Sequence, residues 1–374
     1  MFEDWYLSEL ISKKIRDIWK LTDYYLLRLI HDILKKTEID LFLKNPITIN
    51  DIIEKKGYSQ NVFSSLKWMF DRLVLDGYLQ INDDKYSLTS KVMEYELDEI
   101  KNKSYKEAPD SIAAFNMLKL MADNYPDYLA GKKTGVDIIF SPENINITNE
   151  YYSNNLFYNV HNIAGAKILN YDMEGRNNPT VIEIGGGLGG GTKQFLLQRL
   201  AENKKIDNFK YYFTDIANKM LRNTRKDLLL ITPNLSAFDF KKLDFNISLK
   251  EQDFPENSAD IIWGVNAAHV AYDLKVSLTQ LYKTLKPGGS LIISETVRPI
   301  GNTMIQQEFI LNTLQDYWKV KLDDIRPRYG FMDWKFWINA LEKIGFSKVE
   351  TIPDMEKLEK IYDNCYVTII RGIK

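Results

Sequence analysis

Residues 180–196, TVIEIGGGLGGGTKQFL, place six glycines within seven positions directly after a β-branched run. The run TVIEI predicts a buried strand, and TKQFLLQRLAENK after the glycines predicts a helix. A strand-to-helix connection this rich in glycine lets a ligand lie against bare backbone, since each missing Cβ shortens the approach. The N–H groups at the start of the helix favour an anionic group nearby. The stretch therefore predicts a nucleotide-type cofactor site after the first strand of a sheet.

Strand-like and helix-like segments alternate along the rest of the chain. Further strands are predicted at FKYYFTDI, ADIIWGVNAAH and SLIISET, with helices at ANKMLRNTRKDLL and LKVSLTQLYKTL and a turn at KPGG. Strands separated by helices of about 10 to 15 residues pair in parallel and bind ligands at their carboxyl ends. The predicted fold is α/β, with a doubly wound Rossmann-like sheet.

The residues before this sheet predict a different arrangement of helices and strands. Residues 46–92 predict two short helices and a β-hairpin, the order of a winged helix. Basic and acidic residues number six each in this stretch, whereas a DNA-binding module should present a basic face. We expect a helical winged-helix-like module at residues 1–95, a helical lid or linker at 96–175 and the cofactor-binding domain at 176–374.

Charge and composition narrow the class of protein. Basic and acidic residues are nearly balanced, at 49 and 51, and the net charge is −2. This balance lacks the positive field that gathers nucleic acid or an anionic membrane surface. The single cysteine, Cys365, excludes an internal disulfide and suits a reducing compartment. Without an apolar run of about 18 residues, the sequence predicts a soluble cytoplasmic protein with no nucleic-acid or membrane partner.

The glycine loop alone fits two cofactors. Gly185, Gly187 and Gly190 satisfy the dinucleotide pattern G-x-G-x-x-G, and Asp215 ends the second strand, where a carboxylate can bind a ribose. S-adenosylmethionine, which has a ribose and a carboxylate of its own, makes similar demands on the backbone. The loop therefore leaves open both a nicotinamide enzyme and a methyltransferase.

Several motifs in order resemble the class I S-adenosylmethionine-dependent methyltransferases. EIGGGLG resembles the family's first motif, E-x-G-x-G-x-G; FTDI supplies the ribose-binding acid, LDF the adenine-contacting pair, and LKPGGSLIISE the approach to the fifth strand. The resemblance covers roughly residues 178–350 and implies S-adenosylmethionine as the cofactor. The residues predicted to bind it are Glu183, Gly185, Gly187, Gly189, Asp215, Asp244, Phe245 and Asn266.

More specifically, the sequence resembles the methyltransferase domains of polyketide synthases. FTDI, NAAHVAYDL and LKPGGSLIISE are similar to strings in those domains, as are the lead-in ADNYPDYLAGKKTGVDIIF and the closing DWKFWINALEKIGFSKVE. Two positions depart: Asp253 stands in a turn where the family has glycine, and Val270 follows His269. The resemblance implies methyl transfer to an acyl chain on an acyl carrier protein, at the carbon between two carbonyls or at a β-oxygen.

Two ionisable residues are placed to handle a proton. His269 follows the strand ADIIWGVNAA and Glu295 ends the strand SLIISE, so both should lie at the carboxyl edge of the sheet. An imidazole oriented by a carboxylate is a suitable general base, because imidazoles titrate near neutrality and the carboxylate fixes the tautomer. In the family resembled, a His and a Glu at these positions form the catalytic dyad, which assigns those roles to His269 and Glu295.

Other residues carry less signal. Tyr158, Asn159 and Tyr272 are predicted substrate contacts, although aromatic residues at such spacing commonly serve packing. His31 and His161 lie in apolar helical surroundings and show no functional pattern. No His, Cys, Asp or Glu cluster has metal-ligand spacing, so no metal is predicted. We expect the helical segment before residue 170 to close over the cofactor and form an acceptor tunnel.

Three alternatives stay open. A winged-helix module before a methyltransferase domain also resembles the homodimeric small-molecule O-methyltransferases. A winged-helix regulator without catalytic activity is a second alternative, and a nicotinamide oxidoreductase is a third. The sequence does not choose the acceptor atom, the acyl chain, the oligomeric state or between a free-standing enzyme and a synthase domain.

Overall fold

The computed structural model describes residues 5–6, 8, 12–92, 96–107, 109–299, 304–362 and 365–374. These residues fall into two compact units. The sheet unit lies within residues 1–8, 158–303 and 319–374, and the helical unit lies within residues 9–157 and 304–318.

Helices and strands are numbered in chain order within the described residues. The helices are α1 (Lys13–Lys36), α2 (Ile39–Phe42), α3 (Ile49–Lys56), α4 (Phe63–Leu75), α5 (Leu97–Glu107), α6 (Ile112–Leu129), α7 (Gly135–Ile139), α8 (Ile145–Asn154), α9 (Leu156–Met173), α10 (Gly190–Ala201), α11 (Asn218–Leu229), α12 (Leu274–Thr284), α13 (Gln307–Leu311), α14 (Gln315–Trp318), α15 (Trp334–Ile344) and α16 (Met355–Leu358). The strands are β1 (Leu79–Asn82), β2 (Lys85–Leu88), β3 (Thr180–Glu183), β4 (Lys210–Asp215), β5 (Phe238–Lys242), β6 (Ala259–Val265), β7 (Leu285–Thr296), β8 (Ser347–Ile352) and β9 (Val367–Ile373).

The sheet unit is built on seven strands in the order β5-β4-β3-β6-β7-β9-β8. The strands from β5 to β7 are parallel, whereas β9 runs antiparallel to β7, and β8 antiparallel to β9. The chain order reverses between β3 and β6, and the carboxyl ends at such a reversal form the crevice where doubly wound sheets bind ligands. The predicted α/β doubly wound fold is confirmed; the sequence did not predict its antiparallel edge.

The KPGG motif is the one predicted turn that the structure absorbs into a strand. Gly288 N donates to Lys374 O at 3.0 Å, and Lys374 N donates to Gly289 O at 2.9 Å. The C-terminal residues supply these hydrogen bonds, so residues 286–289 lie within β7, but they form an irregularity in it: Leu285 pairs with Ala259 and Ser290 with Ile261, which leaves four residues opposite Asp260 alone. The partner lies 86 residues downstream of Gly288, which places this effect beyond any local pattern.

Helix α9 belongs with the sheet. One buried core joins side chains from α9, α10, β3, β4 and β6, among them Ala164, Leu169, Val181, Phe195 and Trp263. Full burial of a large apolar side chain contributes about 1.5–3 kcal/mol, so this shared core fixes the helix to the strands. The structure therefore groups residues 158–175 with the sheet, ahead of the boundary expected near 176, and residues 304–318 with the helical unit.

The helical unit contains the predicted order of helix, helix and hairpin in α3, α4, β1 and β2. Thr48 caps α3 through a reciprocal hydrogen bond with Asp51, and Gly57 ends it in the left-handed region. In the core of this unit the Trp68 indole donates to Glu308 at 3.0 Å, which ties α4 to α13. In the part of the chain that the structure describes, no helix is long and apolar enough to cross a membrane.

Candidate active site

The glycine loop between β3 and α10 requires its glycines. Gly185, Gly187 and Gly189 have φ of 58°, 53° and 74°, a region that side-chain-bearing residues rarely adopt. A Cβ at Gly189 would lie 2.4 Å from Thr224. A Cβ at Gly187 would instead meet no atom closer than 3.9 Å. The loop is therefore tightly packed at Gly189 and open at Gly187, where a ligand can approach bare backbone.

Asp215 ends β4 beside this loop and holds it in place. Its Oδ2 accepts a hydrogen bond from Gly187 N at 2.9 Å, and its Oδ1 accepts one from Ala217 N at 2.8 Å. A carboxylate has about four lone-pair positions, so two remain for ribose hydroxyls. The predicted ribose acid thus lies directly against the predicted cofactor loop.

An open cleft of about 390 Å³ lies next to Asp215, within the size range of ligand pockets. Its lining includes Asp244 and two apolar side chains that are unusually exposed, Ile216 at 59% and Ile247 at 53%. Phe245, the predicted adenine contact, is buried instead. The exposed apolar surface suited to a flat base therefore comes from Ile216 and Ile247, which sequence reasoning missed. Ile216 follows the ribose acid directly, and that adjacency was the available signal.

Glu183 lies beneath the loop rather than on its open side. Its side chain is 2% exposed, and Oε2 accepts hydrogen bonds from Thr192 Oγ1 and, at 2.7 Å, from Tyr211 OH. The Trp263 indole donates in turn to Tyr211 OH at 2.9 Å. Burial raises the pKa of Glu183 to about 7, the two hydroxyl donors oppose that rise, and the charge of Asp215 adds to it. This geometry gives Glu183 a supporting position under the loop.

His269 and Glu295 meet at the carboxyl edge of the sheet. His269 Nδ1 lies 2.8 Å from Glu295 Oε2, and Glu295 Oε1 accepts from Ala268 N at 2.8 Å. Both side chains are buried, at 4% and 0% exposure. With the carboxylate accepting, Nδ1 carries the proton and the lone pair of the ring lies on Nε2. The pair brought together by sequence reasoning is thus in hydrogen-bond contact.

Arg326 holds the short turn that carries His269. Its guanidinium is fully buried and donates to His269 O at 2.6 Å and to Ala271 O at 2.7 Å. The ring of Phe331 packs against the imidazole with a centroid distance of 4.8 Å. The two contacts fix the turn and the ring, and no motif in the sequence indicated either residue.

A second set of hydrogen bonds surrounds Thr296, the residue after Glu295. Thr296 N donates to Asn266 Oδ1 at 2.7 Å, and Thr296 Oγ1 lies 3.1 Å from His161 Nε2. Burial, together with a smaller effect of the nearby His269, lowers the pKa of His161 to about 3. His161 therefore lies beside the dyad as a neutral imidazole, although the sequence showed no pattern for it.

The remaining predicted residues are spread around this edge. The ring of Tyr158 lies 5.9 Å from that of His161. Asn159 accepts a hydrogen bond from Gln194 at 3.3 Å, and Tyr272 is 57% exposed. Their predicted role as substrate contacts stays a prediction.

The described residues fit S-adenosylmethionine. The bare backbone at Gly187, the remaining acceptor capacity of Asp215 and the exposed apolar pair Ile216 and Ile247 follow one another along the carboxyl edge. Among the described residues, no group of three or more His, Cys, Asp or Glu side chains could hold a metal ion.

Comparisons with known proteins bear on the family and the fold. Residues 182–291 match the family described as a methyltransferase domain. The highly reducing polyketide synthase rstn3 of Aspergillus nomiae is 27% identical over 279 residues, which cover 74% of this chain and 10% of that protein. The chain therefore spans about a tenth of the length of this relative.

Two solved structures have the same fold. The DszA carbon methyltransferase superposes with a TM-score of 0.82 at 18% identity, covering 98% of this chain and 92% of that one. The trans-methyltransferase CalH, solved in complex with SAH, gives a TM-score of 0.66 at 15% identity, covering 94% and 90%. Residues 182–291 therefore belong to a methyltransferase domain, and the strand order and the glycine loop around them are those of the class I S-adenosylmethionine-dependent methyltransferase fold.

Proposed function

We propose that this chain transfers a methyl group from S-adenosylmethionine to a polyketide-type acyl chain held as a thioester on an acyl carrier protein, at the carbon between the two carbonyls of a β-ketoacyl group. The observation that carries the proposal is the buried His269–Glu295 pair, at 2.8 Å, on the sheet edge that also holds the cofactor loop. Methylation of a β-ketoacyl α-carbon begins with removal of a proton by a base, a step that this pair can perform.

His269 is the proposed base. Its Nε2 takes the α-proton, and the electron pair of the broken C–H bond remains on the substrate, shared between the α-carbon and the carbonyl oxygens. Glu295 then lies against an imidazolium, whose charge it offsets at 2.8 Å in a buried site. The Ala268 N–H on the other oxygen keeps the carboxylate in this orientation.

Residues of the glycine loop and of the cleft would hold the cofactor. Asp215 would accept from the ribose, Ile216 and Ile247 would flank the base beside Asp244, and the backbone at Gly187 would approach the chain of the methionyl group. When bound, S-adenosylmethionine supplies an electrophilic methyl group on a sulfur that leaves without charge. The protein's remaining task is to place the deprotonated acceptor in line, which is an orientation effect.

The choice of acceptor draws on the relatives. The relative from Aspergillus nomiae is named as a polyketide synthase, and one structure of the same fold is titled a carbon methyltransferase. A β-oxygen acceptor and a free small molecule, as in homodimeric O-methyltransferases, are the alternatives that the experiment must separate.

The test is intact-mass spectrometry of an acyl carrier protein loaded with a β-ketoacyl group and incubated with the chain and S-adenosylmethionine. We expect the carrier to gain one CH₂ unit, and NMR of the released acyl chain to place the methyl group on the α-carbon. His269→Ala should lower the rate by roughly 10³-fold, which lies within the range for a removed general base, while S-adenosylhomocysteine still binds. His31→Ala, on α1, is the matched control and should keep the wild-type rate.

Three outcomes would contradict the proposal. Methylation on oxygen would show that the acceptor is not the α-carbon. Turnover of free phenols or hydroxy acids alone would favour the small-molecule alternative. Full activity of His269→Ala would remove His269 from the mechanism.

A further inference from the structure

The end of strand β7 contacts several of the polar groups near His269 and Glu295. Ser294 Oγ donates to His161 O at 2.9 Å, Glu295 holds His269, and Thr296 contacts both Asn266 and His161. Three successive residues of β7 therefore fix the positions of His269, Asn266 and His161.

The approach of α9 to this strand end depends on a glycine. A Cβ at Gly165 would lie 3.1 Å from Ser294 Cβ and 3.5 Å from Val265 Cγ2. His161 lies four residues earlier, on the same face of the helix, because positions four apart stack along a helix. The close crossing at Gly165 thus brings the His161 ring to Thr296.

Two buried nitrogens in this cluster lack acceptors. His161 Nδ1 and Asn266 Nδ2 have no hydrogen-bond partner within the residues that the structure describes. The orientation of the Asn266 amide is settled, because its oxygen accepts from Thr296 N at 2.7 Å and its NH₂ must point the other way. Leaving a buried donor without an acceptor costs about 1–3 kcal/mol, so two of them in one cluster call for a ligand.

The tautomer of His161 follows from which groups have hydrogen-bond partners in each tautomeric form. The contact with His161 is the only hydrogen bond of Thr296 Oγ1 in the described chain. If Thr296 donates to Nε2, its hydroxyl proton is used and only the Nδ1–H lacks a partner. If Nε2–H donates instead, both the hydroxyl proton and the Nδ1 lone pair lack partners. The first arrangement leaves fewer groups unsatisfied, so Nδ1 is the donor.

We propose that His161 and Asn266 are catalytic residues that form an oxyanion site, in which His161 Nδ1–H and Asn266 Nδ2–H donate to a carbonyl oxygen of the β-ketoacyl substrate as it becomes an enolate. This inference rests on the proposed function. His269 Nε2 removes the α-proton, the C–H electron pair moves onto the carbonyl oxygen, and the two donors stabilise the negative charge that forms there. Proton and electrons balance within the substrate and His269.

The neutral state of His161 suits this role. With its pKa near 3, the ring does not take up the proton that His269 must receive. A neutral imidazole also spares the site a second positive charge next to the imidazolium of His269. One histidine is therefore arranged as the base and the other as a fixed donor.

Two isosteric substitutions separate the donor from the rest of the ring. An asparagine amide reaches the position of a histidine Nδ1, whereas a glutamine amide reaches that of Nε2. His161→Gln should therefore lose the donor to substrate while keeping a partner for Thr296, and His161→Asn should restore the donor. Asn266→Asp keeps the oxygen that Thr296 N needs, tolerates the left-handed φ of 48°, and removes the second donor.

The readout is exchange of the α-proton for deuterium, which requires enolate formation but no methyl donor. The probe is the acetoacetyl thioester of N-acetylcysteamine in D₂O with S-adenosylhomocysteine present. We expect His161→Gln and Asn266→Asp each to slow enzyme-catalysed exchange and methyl transfer by about 10²-fold, the loss seen when one oxyanion donor is removed. His161→Asn should stay within about 10-fold of wild type, and affinity for S-adenosylhomocysteine should be unchanged in all three.

The outcomes distinguish this inference from the proposed function. Wild type that neither exchanges nor methylates the thioester or its carrier-bound form overturns both. Active wild type with wild-type exchange in His161→Gln and Asn266→Asp overturns the oxyanion site alone. Equal losses of the exchange rate in His161→Asn and His161→Gln would show that His161 acts through packing and not as a donor. If His161→Gln does not fold, as judged by lost S-adenosylhomocysteine binding, the exchange rate of Asn266→Asp tests the oxyanion site.

Discussion

Two buried glutamates lie near the carboxyl ends of parallel strands in the same sheet, and their surroundings differ. Glu183 ends β3 at 2% exposure and receives two hydroxyl donors on one oxygen. Glu295 lies near the end of β7 at 0% exposure and divides its oxygens between a backbone N–H and an imidazole. Burial is equal in the two cases, so the donors decide what each carboxyl group does.

Under the proposed function, the difference separates a cofactor end from a reaction end of the site. The cofactor end comprises the glycine loop 184–191, Asp215 and the cleft, and Glu183 supports it from below. The reaction end comprises His269, Glu295, Thr296, Asn266 and His161. At the cofactor end, protein donors hold Glu183 and Asp215 in place and leave acceptor capacity on Asp215, whereas the reaction end keeps two buried donors without acceptors among the described residues. Under the proposed function, the preformed loop would bind the cofactor, and the two donors without acceptors would act on the acceptor substrate.

Glu295→Gln gives the largest expected effect, a loss of methyl-transfer rate that comes from the reaction end alone. The new amide would present an NH₂ group to Nδ1, which favours the tautomer with the proton on Nε2 and removes the base. By analogy with an amide replacing the triad carboxylate of serine proteases, we expect kcat for methyl transfer to fall roughly 10³-fold. The affinity for S-adenosylhomocysteine, measured by calorimetry, should stay at the wild-type value because the cofactor end is untouched.

Glu295→Asp is the matched variant, since it keeps the carboxylate and shortens it by one CH₂. It should recover part of the lost rate. A wild-type rate in Glu295→Gln would show that the carboxylate does not set the tautomer of His269, and loss of cofactor affinity in both variants would make Glu295 structural.

The cofactor end could be predicted from sequence better than the reaction end. The glycine pattern, Asp215 and Asp244 each follow a strand directly, so their positions depend on local order along the chain. The dyad could be paired because His269 follows β6 and Glu295 lies near the end of the neighbouring strand β7. His161 could not, since its contact with Thr296 joins residues 135 positions apart through a helix crossing that Gly165 permits. Arg326 reaches His269 from a segment without regular structure, which no periodic pattern describes.

The placement of Glu183 and Phe245 shows the limit of motif matching. Both occupy motif positions, yet Glu183 faces Thr192 and Tyr211, and Phe245 is buried while Ile247 is exposed. A motif gives the position in the chain, whereas strand pleat and loop geometry decide which way a side chain points.

Glu183→Gln should change stability rather than catalysis, and only over a defined pH range. The folded-state pKa of about 7 lies above the ordinary value of 4.5, so the folded protein binds this proton more tightly than the unfolded chain does. The resulting stabilisation is full below about pH 4.5 and is lost as pH rises through 7, a change on the order of 3 kcal/mol. Chemical denaturation at a series of pH values should show this decline in wild type and a flatter profile in Glu183→Gln.

The control for that series is Glu342→Gln, which removes an exposed carboxylate of α15. Its pH profile should follow wild type. A Glu183→Gln profile that also follows wild type would show that this carboxyl group titrates alike in the folded and unfolded chain, and the contrast between the two glutamates would then fail.

Ile247→Ala gives the smallest expected effect and tests the cofactor end without touching the reaction end. The side chain is 53% exposed at the open cleft, so its truncation should leave folding unchanged while removing apolar contact with a bound base. Loss of about 40 Å² of contact corresponds to about 1 kcal/mol, or roughly 5-fold weaker binding of S-adenosylhomocysteine by calorimetry. Leu230→Ala, which is 87% exposed outside the cleft, is the matched control and should bind as wild type does. Because α-proton exchange with saturating S-adenosylhomocysteine depends only on the reaction end, it should proceed at the wild-type rate in Ile247→Ala. A slowed exchange there would mean that the two ends do not act independently.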